Sequence, residues 1–171
     1  ELIAKQCSIF KVEKFIHISS IGVDKKSNSI YSSSKAIGEE EIIKNFKDAV
    51  IVRPSLIFGH EDRFFNRYAS IAAYSPIVPL IGKGTMFQPV YVDDVALAVE
   101  KIVTDRDLKG VFELGGPEIL TFEKLINKML FVIRRKRLVF NIPFSLANLM
   151  AAIFELINKE TFGVAPLPFT Q

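Results

Sequence analysis

The 171-residue chain lacks the features that mark secreted or membrane-spanning proteins. Its single cysteine, Cys7, excludes an internal disulfide and suits a reducing compartment. No run of about 18 uncharged apolar residues is present, so we expect no transmembrane helix. The net charge of +3 is too small to indicate nucleic-acid binding. With 49% hydrophobic and 24% charged residues, the composition is that of an ordinary globular domain.

The start of the chain also lacks familiar signals. It opens at Glu1, without an initiator Met and without a signal-peptide pattern. The first ten residues, ELIAKQCSIF, are instead typical of a helix. We therefore expect the chain to be a fragment of a longer protein, lacking the N-terminal half.

Strand-like and helix-like segments alternate along the 171-residue sequence. Strands are predicted for FIHISS, AVIVRPSLIF, PVYV, VFELGG and RLVFNIP. Helices are predicted over residues 1–10, 31–46, 63–74, 95–103, 122–133 and 145–157. The Pro- and Gly-punctuated residues 75–89 are predicted to form a loop. This alternation indicates an α/β fold with a parallel sheet in its first half.

Polar residues ahead of two predicted helices have the character of N-caps. Asp93 or Asp94 is predicted to cap the helix VALAVEKIV, and Thr121 the helix FEKLINKMLFVI. The basic residues 134–137 follow the second helix, where positive charge suits the helix dipole. A contact with a membrane surface or with a partner is the alternative for this basic run.

The residues with the clearest chemical potential lie at the start of the second predicted helix. Tyr31 and Lys35 are four residues apart, so they face the same way. A cation near a tyrosine favours the ionised phenol, which can then serve as a general acid or base. Ser19 and Ser20 end the preceding strand, where a hydroxyl could hold a substrate oxygen. The alternative is a surface Tyr–Lys pair beside serines that only end the strand.

Four motifs occur in a fixed order: HISS, YSSSKAIGE, VRPSLIFG and PVYVDDVALAV. In this order they resemble the short-chain dehydrogenase/reductase superfamily, in its extended or atypical form. The segment EDRFFNRYAS and its surroundings look closest to the NAD(P)-binding accessory subunit of respiratory complex I and its bacterial relatives. The resemblance implies the C-terminal part of a Rossmann-like domain over residues 1–60. A smaller α/β lobe, interleaved with it, would cover residues 61–171.

The resemblance also implies a site. Ser20, Tyr31 and Lys35 occupy the positions of the family's active-site serine, tyrosine and lysine, and the lysine binds the nicotinamide ribose as well. Asp94 matches an aspartate with a structural role. No metal is expected, although His60 lies beside Glu61 and Asp62. The expected cofactor contacts come from Tyr31, Lys35, Pro54, Ser55 and Ile57.

Two departures from the family pattern limit what the resemblance implies. The family's glycine-rich turn, which presents a helix N-terminus to the pyrophosphate, does not occur among the nine glycines of this chain. We therefore expect these 171 residues by themselves to bind nucleotide very weakly. Ser20 and Tyr31 are also only 11 positions apart, which leaves no room for the substrate loop of the sugar-modifying members.

The favoured interpretation is an NAD(P)-binding protein of the accessory type, whose nucleotide is structural, with NADP(H) slightly favoured over NAD(H). The alternative is an active NAD(P)-dependent oxidoreductase, epimerase or dehydratase that uses the Ser–Tyr–Lys site. A third is a scaffold that no longer binds nucleotide. The expected partners are the nucleotide, complex I subunits or a membrane surface, and no nucleic acid. The expected location is the cytoplasm, or the cytoplasmic or matrix face of the respiratory membrane.

Overall fold

A computed structural model describes residues 1–146 of the chain. These residues divide into two compact units. The first contains Glu1–Asp62 and Gln88–Ile119, and the second contains Arg63–Phe87 and the described residues from Leu120 onward. The division into residues 1–60 and 61–171 stays a prediction about the domains of the whole protein. The helix predicted over residues 145–157 lies largely outside the described residues.

The elements follow one another in the alternating order expected of an α/β protein. The helices are α1 (Leu2–Ile9), α2 (Ile30–Asn45), α3 (Arg63–Tyr74), α4 (Val92–Thr104) and α5 (Phe122–Val132). The longer strands are β1 (Ile16–Ile18), β2 (Val50–Pro54), β4 (Ile77–Ile81), β7 (Gly110–Leu114) and β9 (Leu138–Ile142). The two-residue strands are β3 (Ile57–Phe58), β5 (Met86–Phe87), β6 (Val90–Tyr91) and β8 (Leu120–Thr121). Among the helices described, none combines the length and the apolar character needed to span a bilayer.

The first unit is built on a parallel sheet of order β1-β2-β7. Its central strand, β2, is apolar on both sides because both faces of the sheet are covered. Ile51 packs with Ala4 of α1 and Ile42 of α2, whereas Val50 and Val52 pack with Ile102 of α4. The α/β class and the parallel first half are thus confirmed, with β1 and β2 as adjacent parallel strands.

The second unit combines α3 and α5 with two small sheets. β4 pairs with β9 in parallel, and β5 pairs with β8 antiparallel. Fully buried Val78 and Leu80 of β4 pack against Ile126 of α5. An aromatic cluster adds to this core, with ring centroids 5.4 to 5.9 Å apart. Its members are Phe64, Tyr68, Phe87 and Phe122.

Two predictions about local structure are wrong. Residues 75–89 contain the strands β4 and β5 rather than only a loop. Pro79 is tolerated in β4 because a two-stranded sheet consists of edge strands only. Asp93 and Asp94 do not cap α4, since that helix begins at Val92 and both aspartates lie in its first turn. There their charges still interact favourably with the helix dipole. The predicted cap at Thr121 is confirmed, because its hydroxyl accepts a bond from the Lys124 N–H at 3.3 Å.

Candidate functional site

The loop before α2 sets the position at which that helix begins. Ser29 is the N-cap, and its hydroxyl accepts the backbone N–H of Ser32 at 3.4 Å. The hydroxyl of Ser32 in turn accepts the backbone N–H of Asp24 at 2.9 Å. Gly22 has a φ of +71°, a left-handed conformation that glycine adopts without strain. These bonds place Tyr31 in the first turn of α2, directly after the Ser-rich loop.

The structure brings Tyr31 and Lys35 together. The Lys35 Nζ lies 6.0 Å from the centroid of the Tyr31 ring and donates a hydrogen bond to the Ile18 carbonyl at 3.1 Å. Ile18 is the last residue of β1, so this bond ties α2 to the end of the sheet. Tyr31 is 56% exposed, which leaves its ring accessible to a ligand. An ammonium group has three donors, and two remain after the bond to Ile18.

The other predicted site residues lie near the carboxyl ends of β1 and β2. Ser20 lies between two backbone bonds to β2: Ser19 donates to the Val52 carbonyl and Ile21 to the Pro54 carbonyl. The Ser20 hydroxyl makes only a long bond of 3.5 Å to its neighbour's carbonyl. It is therefore weakly held and could bond to a ligand. In parallel α/β sheets this edge is where ligands bind.

Pro54 and Ser55 continue the same edge. Pro54 ends β2 and is buried. Ser55 donates its backbone N–H to the Leu114 carbonyl at 2.8 Å, which holds the loop against β7. Ile57 begins β3 and pairs with Val90. Pro54, Ser55 and Ile57 therefore lie on one stretch of chain that runs from the carboxyl end of β2 into β3.

A buried ion pair beneath α2 was missed in the sequence. Glu39 is one turn beyond Lys35, only 4% exposed, and forms a two-point contact with Arg53 of β2. The Arg53 Nε and Nη2 atoms lie 3.0 and 2.6 Å from the two carboxylate oxygens. Burial alone would raise the pKa of Glu39, but the hydrogen bonds and charge of Arg53 outweigh it and lower that pKa. The available signal was an arginine in an otherwise apolar strand.

His17 lies on the same face of the sheet. Burial lowers its pKa, and the positive charge of Lys35 lowers it further, so the ring is neutral near pH 7. Its Nε2 atom is buried and has no hydrogen-bond partner within residues 1–146. Over the same residues, no group of three His, Cys, Asp or Glu side chains is placed to hold a metal ion.

Gly38 of α2 is not a point of close approach between the helix and the sheet, because a Cβ built there would meet nothing within 4 Å. Close approach occurs instead at Gly116, where a Cβ would lie 1.9 Å from the Pro89 carbonyl oxygen. The LGGP segment after β7 therefore requires glycine, because the neighbouring backbone occupies the space of a side chain.

The sequence is similar to those of subunits of the mitochondrial NADH dehydrogenase. NADH dehydrogenase (ubiquinone) 1 alpha subcomplex subunit 9 of Arabidopsis thaliana is 35% identical over 164 residues, which are 94% of this chain and 40% of the relative. The Mus musculus protein of the same name is 36% identical over 87% of this chain and 40% of its own length. The NADH-ubiquinone oxidoreductase 40 kDa subunit of Neurospora crassa is 31% identical over 93% of this chain and 41% of its own length. The chain is homologous to these respiratory complex I subunits over most of its own length. It spans about two-fifths of their length.

Solved structures of nucleotide-dependent enzymes share the fold of this complex I subunit homologue. A dTDP-4-dehydrorhamnose reductase from Bacillus anthracis, in complex with NADP, superposes with a TM-score of 0.72 at 17% identity, covering 82% of this chain and 54% of that one. A UDP-glucuronic acid 4-epimerase from Bacillus cereus, in complex with NAD, superposes with a TM-score of 0.69 at 22% identity. The match covers 83% of this chain and 55% of that one. No family model matches the chain. The fold is therefore that of Rossmann-like nucleotide-binding domains, as the sequence motifs predicted.

Proposed function

We propose that the natural protein is a nucleotide-binding accessory subunit of respiratory complex I, in which NAD(P) stabilises the structure and is not turned over. The observation that carries this proposal is the fixed Lys35 ammonium beside the exposed Tyr31 ring, at the carboxyl edge of the sheet. Relatives named as complex I subunits and neighbours solved with NAD or NADP support it. NADP(H) is slightly favoured.

The residues of the site fit the nicotinamide half of such a cofactor. The two remaining Lys35 donors suit ribose hydroxyls, and the half-buried loop of Ser55 and Ile57 offers a wall for a flat ring. Ser20 adds a weakly held hydroxyl. A bound nicotinamide would supply hydride transfer, whereas the part of these residues is to bind and orient it. These 171 residues do not include the glycine-rich turn that the pyrophosphate half requires.

An active oxidoreductase, epimerase or dehydratase is the second candidate. It is favoured by one observation: the serine, tyrosine and lysine of a proton-transfer site are all present, with the tyrosine exposed. In that case Tyr31 would donate or accept the proton, Lys35 would support it electrostatically, and Ser20 would hold the substrate oxygen.

The proposed location follows from the relatives. Proteins that belong to respiratory complex I operate at the respiratory membrane, so we place this protein on the cytoplasmic or matrix face of that membrane. Its partners would then be the nucleotide and neighbouring subunits of the complex.

The decisive experiment compares three variants of the natural full-length protein by thermal unfolding with and without NADPH. A ligand at 100 times its dissociation constant stabilises a protein by about 2.7 kcal/mol. Lys35→Met removes a charged hydrogen bond worth about 1.5–3 kcal/mol, which weakens binding by about ten- to 150-fold and removes between about half and nearly all of that stabilisation. Tyr31→Phe should change little. Lys44→Met, on the same helix but with a side chain that is 73% exposed, serves as the matched control.

The outcomes separate the candidates. Loss of NADPH stabilisation in Lys35→Met alone supports the accessory-subunit proposal. A nucleotide-dependent activity that falls by about 10²–10⁴-fold in Tyr31→Phe, with binding unchanged, would establish the enzyme instead. A wild-type protein that neither NADPH nor NADH stabilises would refute both and leave the scaffold interpretation.

A further inference from the structure

Helix α5 has an apolar inner face and an unusual outer face. Its inner residues Ile126, Met129 and Leu130 are buried in the core of the second unit. On the outer face, Phe131 is 84% and Val132 75% exposed, although both are large apolar side chains. They border an open depression of about 560 Å³ along the helix. These two side chains are adjacent to each other and to the basic residues that follow, so the outer face combines apolar and cationic groups.

A basic turn follows directly. The Arg134 N–H bonds to the Phe131 carbonyl at 3.1 Å and the Arg135 N–H to the Leu130 carbonyl at 2.9 Å, which is the Schellman pattern at a helix end. In this pattern Arg134 has a φ of +53°, a left-handed conformation in which glycine is normally found. The Arg137 Nε donates to the Ala72 carbonyl at 2.7 Å and anchors the turn to α3.

Positive charge dominates this region. Between residues 120 and 137 the sequence contains six lysines and arginines and a single acidic residue, Glu123. Glu123 lies 3.7 Å from Lys83, so a further cation offsets its charge. We define the α5 surface by its exposed members, which are Lys124, Phe131, Val132, Arg134, Arg135 and Lys136.

We propose that the α5 surface docks on the face of an anionic lipid bilayer, with Phe131 and Val132 entering the headgroup region and the cations contacting lipid phosphates. An exposed aromatic beside lysines and arginines is the pattern of helices that bind the membrane interface. The helix dipole explains cations at a helix end, but not exposed Phe131 and Val132 beside them. The inference rests on the proposed function for its choice of the respiratory membrane.

The test is co-sedimentation of the natural full-length protein with vesicles of phosphatidylcholine containing phosphatidylglycerol. Each cation near an anionic surface contributes about 1 kcal/mol, so the triple variant Arg134→Gln/Arg135→Gln/Lys136→Gln should lower the partition coefficient by about 100-fold. Phe131→Ser should lower it by about ten-fold, because less apolar area enters the interface. A matched control neutralises Lys44, Lys47 and Lys101 in the first unit and should bind nearly as well as wild type.

Other results would overturn the inference. Equal binding by the control and the triple variant would show that only net charge matters, and equal binding to pure phosphatidylcholine would exclude charge recognition. If vesicles are not bound but the protein dimerises or binds purified complex I through Phe131, the surface docks a protein instead. Thermal stabilisation by NADPH, measured on the same samples, tests the proposed function separately. If NADPH does not stabilise the full-length protein but vesicle binding is intact, only the proposed function is contradicted.

Discussion

The Glu39–Arg53 pair allows a quantitative test of how α2 is held on the sheet. Glu39 has a side chain only 6% exposed, whereas that of Arg53 is 27% exposed and also lies 3.4 Å from Glu113. Removing the guanidinium in Arg53→Met leaves a buried carboxylate without its partner, which costs about 3–5 kcal/mol of unfolding free energy. Glu39→Gln leaves an arginine that keeps Glu113 and partial access to water. We therefore expect it to cost less, about 1–2 kcal/mol.

The pH dependence should follow from the direction of the Glu39 pKa. In the wild type the pKa of Glu39 in the folded protein lies below its usual value. The pair therefore stabilises the fold fully at pH values above the usual pKa, and this stabilisation is lost as the pH falls through the lowered pKa. In Arg53→Met, burial is the largest influence on the pKa of Glu39 and is no longer offset by Arg53, so we expect that pKa to rise above its unfolded value. Protonation of Glu39 at low pH then reduces the unfolding free energy that Arg53→Met costs. The difference in stability between the two proteins should shrink from about pH 7 to about pH 4.

Urea unfolding of the natural full-length protein at several pH values measures this difference. Glu40→Gln is the control, because Glu40 is the adjacent residue but forms an exposed pair with Lys25, with both side chains more than half exposed. It should cost less than about 0.5 kcal/mol. The reasoning fails if Arg53→Met, Glu39→Gln and Glu40→Gln lose equal stability, or if the cost of Arg53→Met does not change with pH.

Two further predictions concern backbone positions and are checked by thermal or urea unfolding. Lys11 has a φ of +51° at the end of α1, so Lys11→Gly should stabilise the protein by about 0.5–1 kcal/mol, whereas Lys5→Gly within the helix should cost about 1 kcal/mol. Equal effects of the two would contradict this. Gly116→Ala should cost more than about 2 kcal/mol because its Cβ would overlap the Pro89 carbonyl, whereas Gly38→Ala, in open space within α2, should gain about 1 kcal/mol. A tolerated Gly116→Ala would show that the loop can shift.

The sequence predicted those elements whose information is local. Arg63–Tyr74 was predicted to be helical with the bounds that the structure shows. Strand β4 was missed because it contains Pro79 and pairs with β9, a partner 61 positions further along the chain, from Ile77 to Leu138. Local patterns of Pro and Gly indicate turns, and no local pattern reveals so distant a partner. Tertiary pairing decided the structure of this segment.

The candidate site likewise has one residue pair that local sequence predicted and one that it did not. The Tyr31–Lys35 pair was predictable because four-residue spacing on a helix is a local property. The Glu39–Arg53 pair was not, because it requires knowledge that β2 lies under α2. Whether Ser20, Tyr31 and Lys35 bind nucleotide or catalyse a reaction stays a prediction, to be decided by the variants described above.

The interleaving of the two units has a consequence for synthesis on the ribosome. β4 leaves the ribosome 61 residues before the start of β9, and Val50 of β2 leaves 60 residues before its partner Gly110 in β7. At about 5–20 residues per second, each strand waits about 3–12 s for its partner. During that time an apolar strand has an unpaired edge that can pair with other nascent chains. Translation speed and early chaperone binding should therefore influence the yield of this protein more than that of a chain whose neighbouring strands are consecutive.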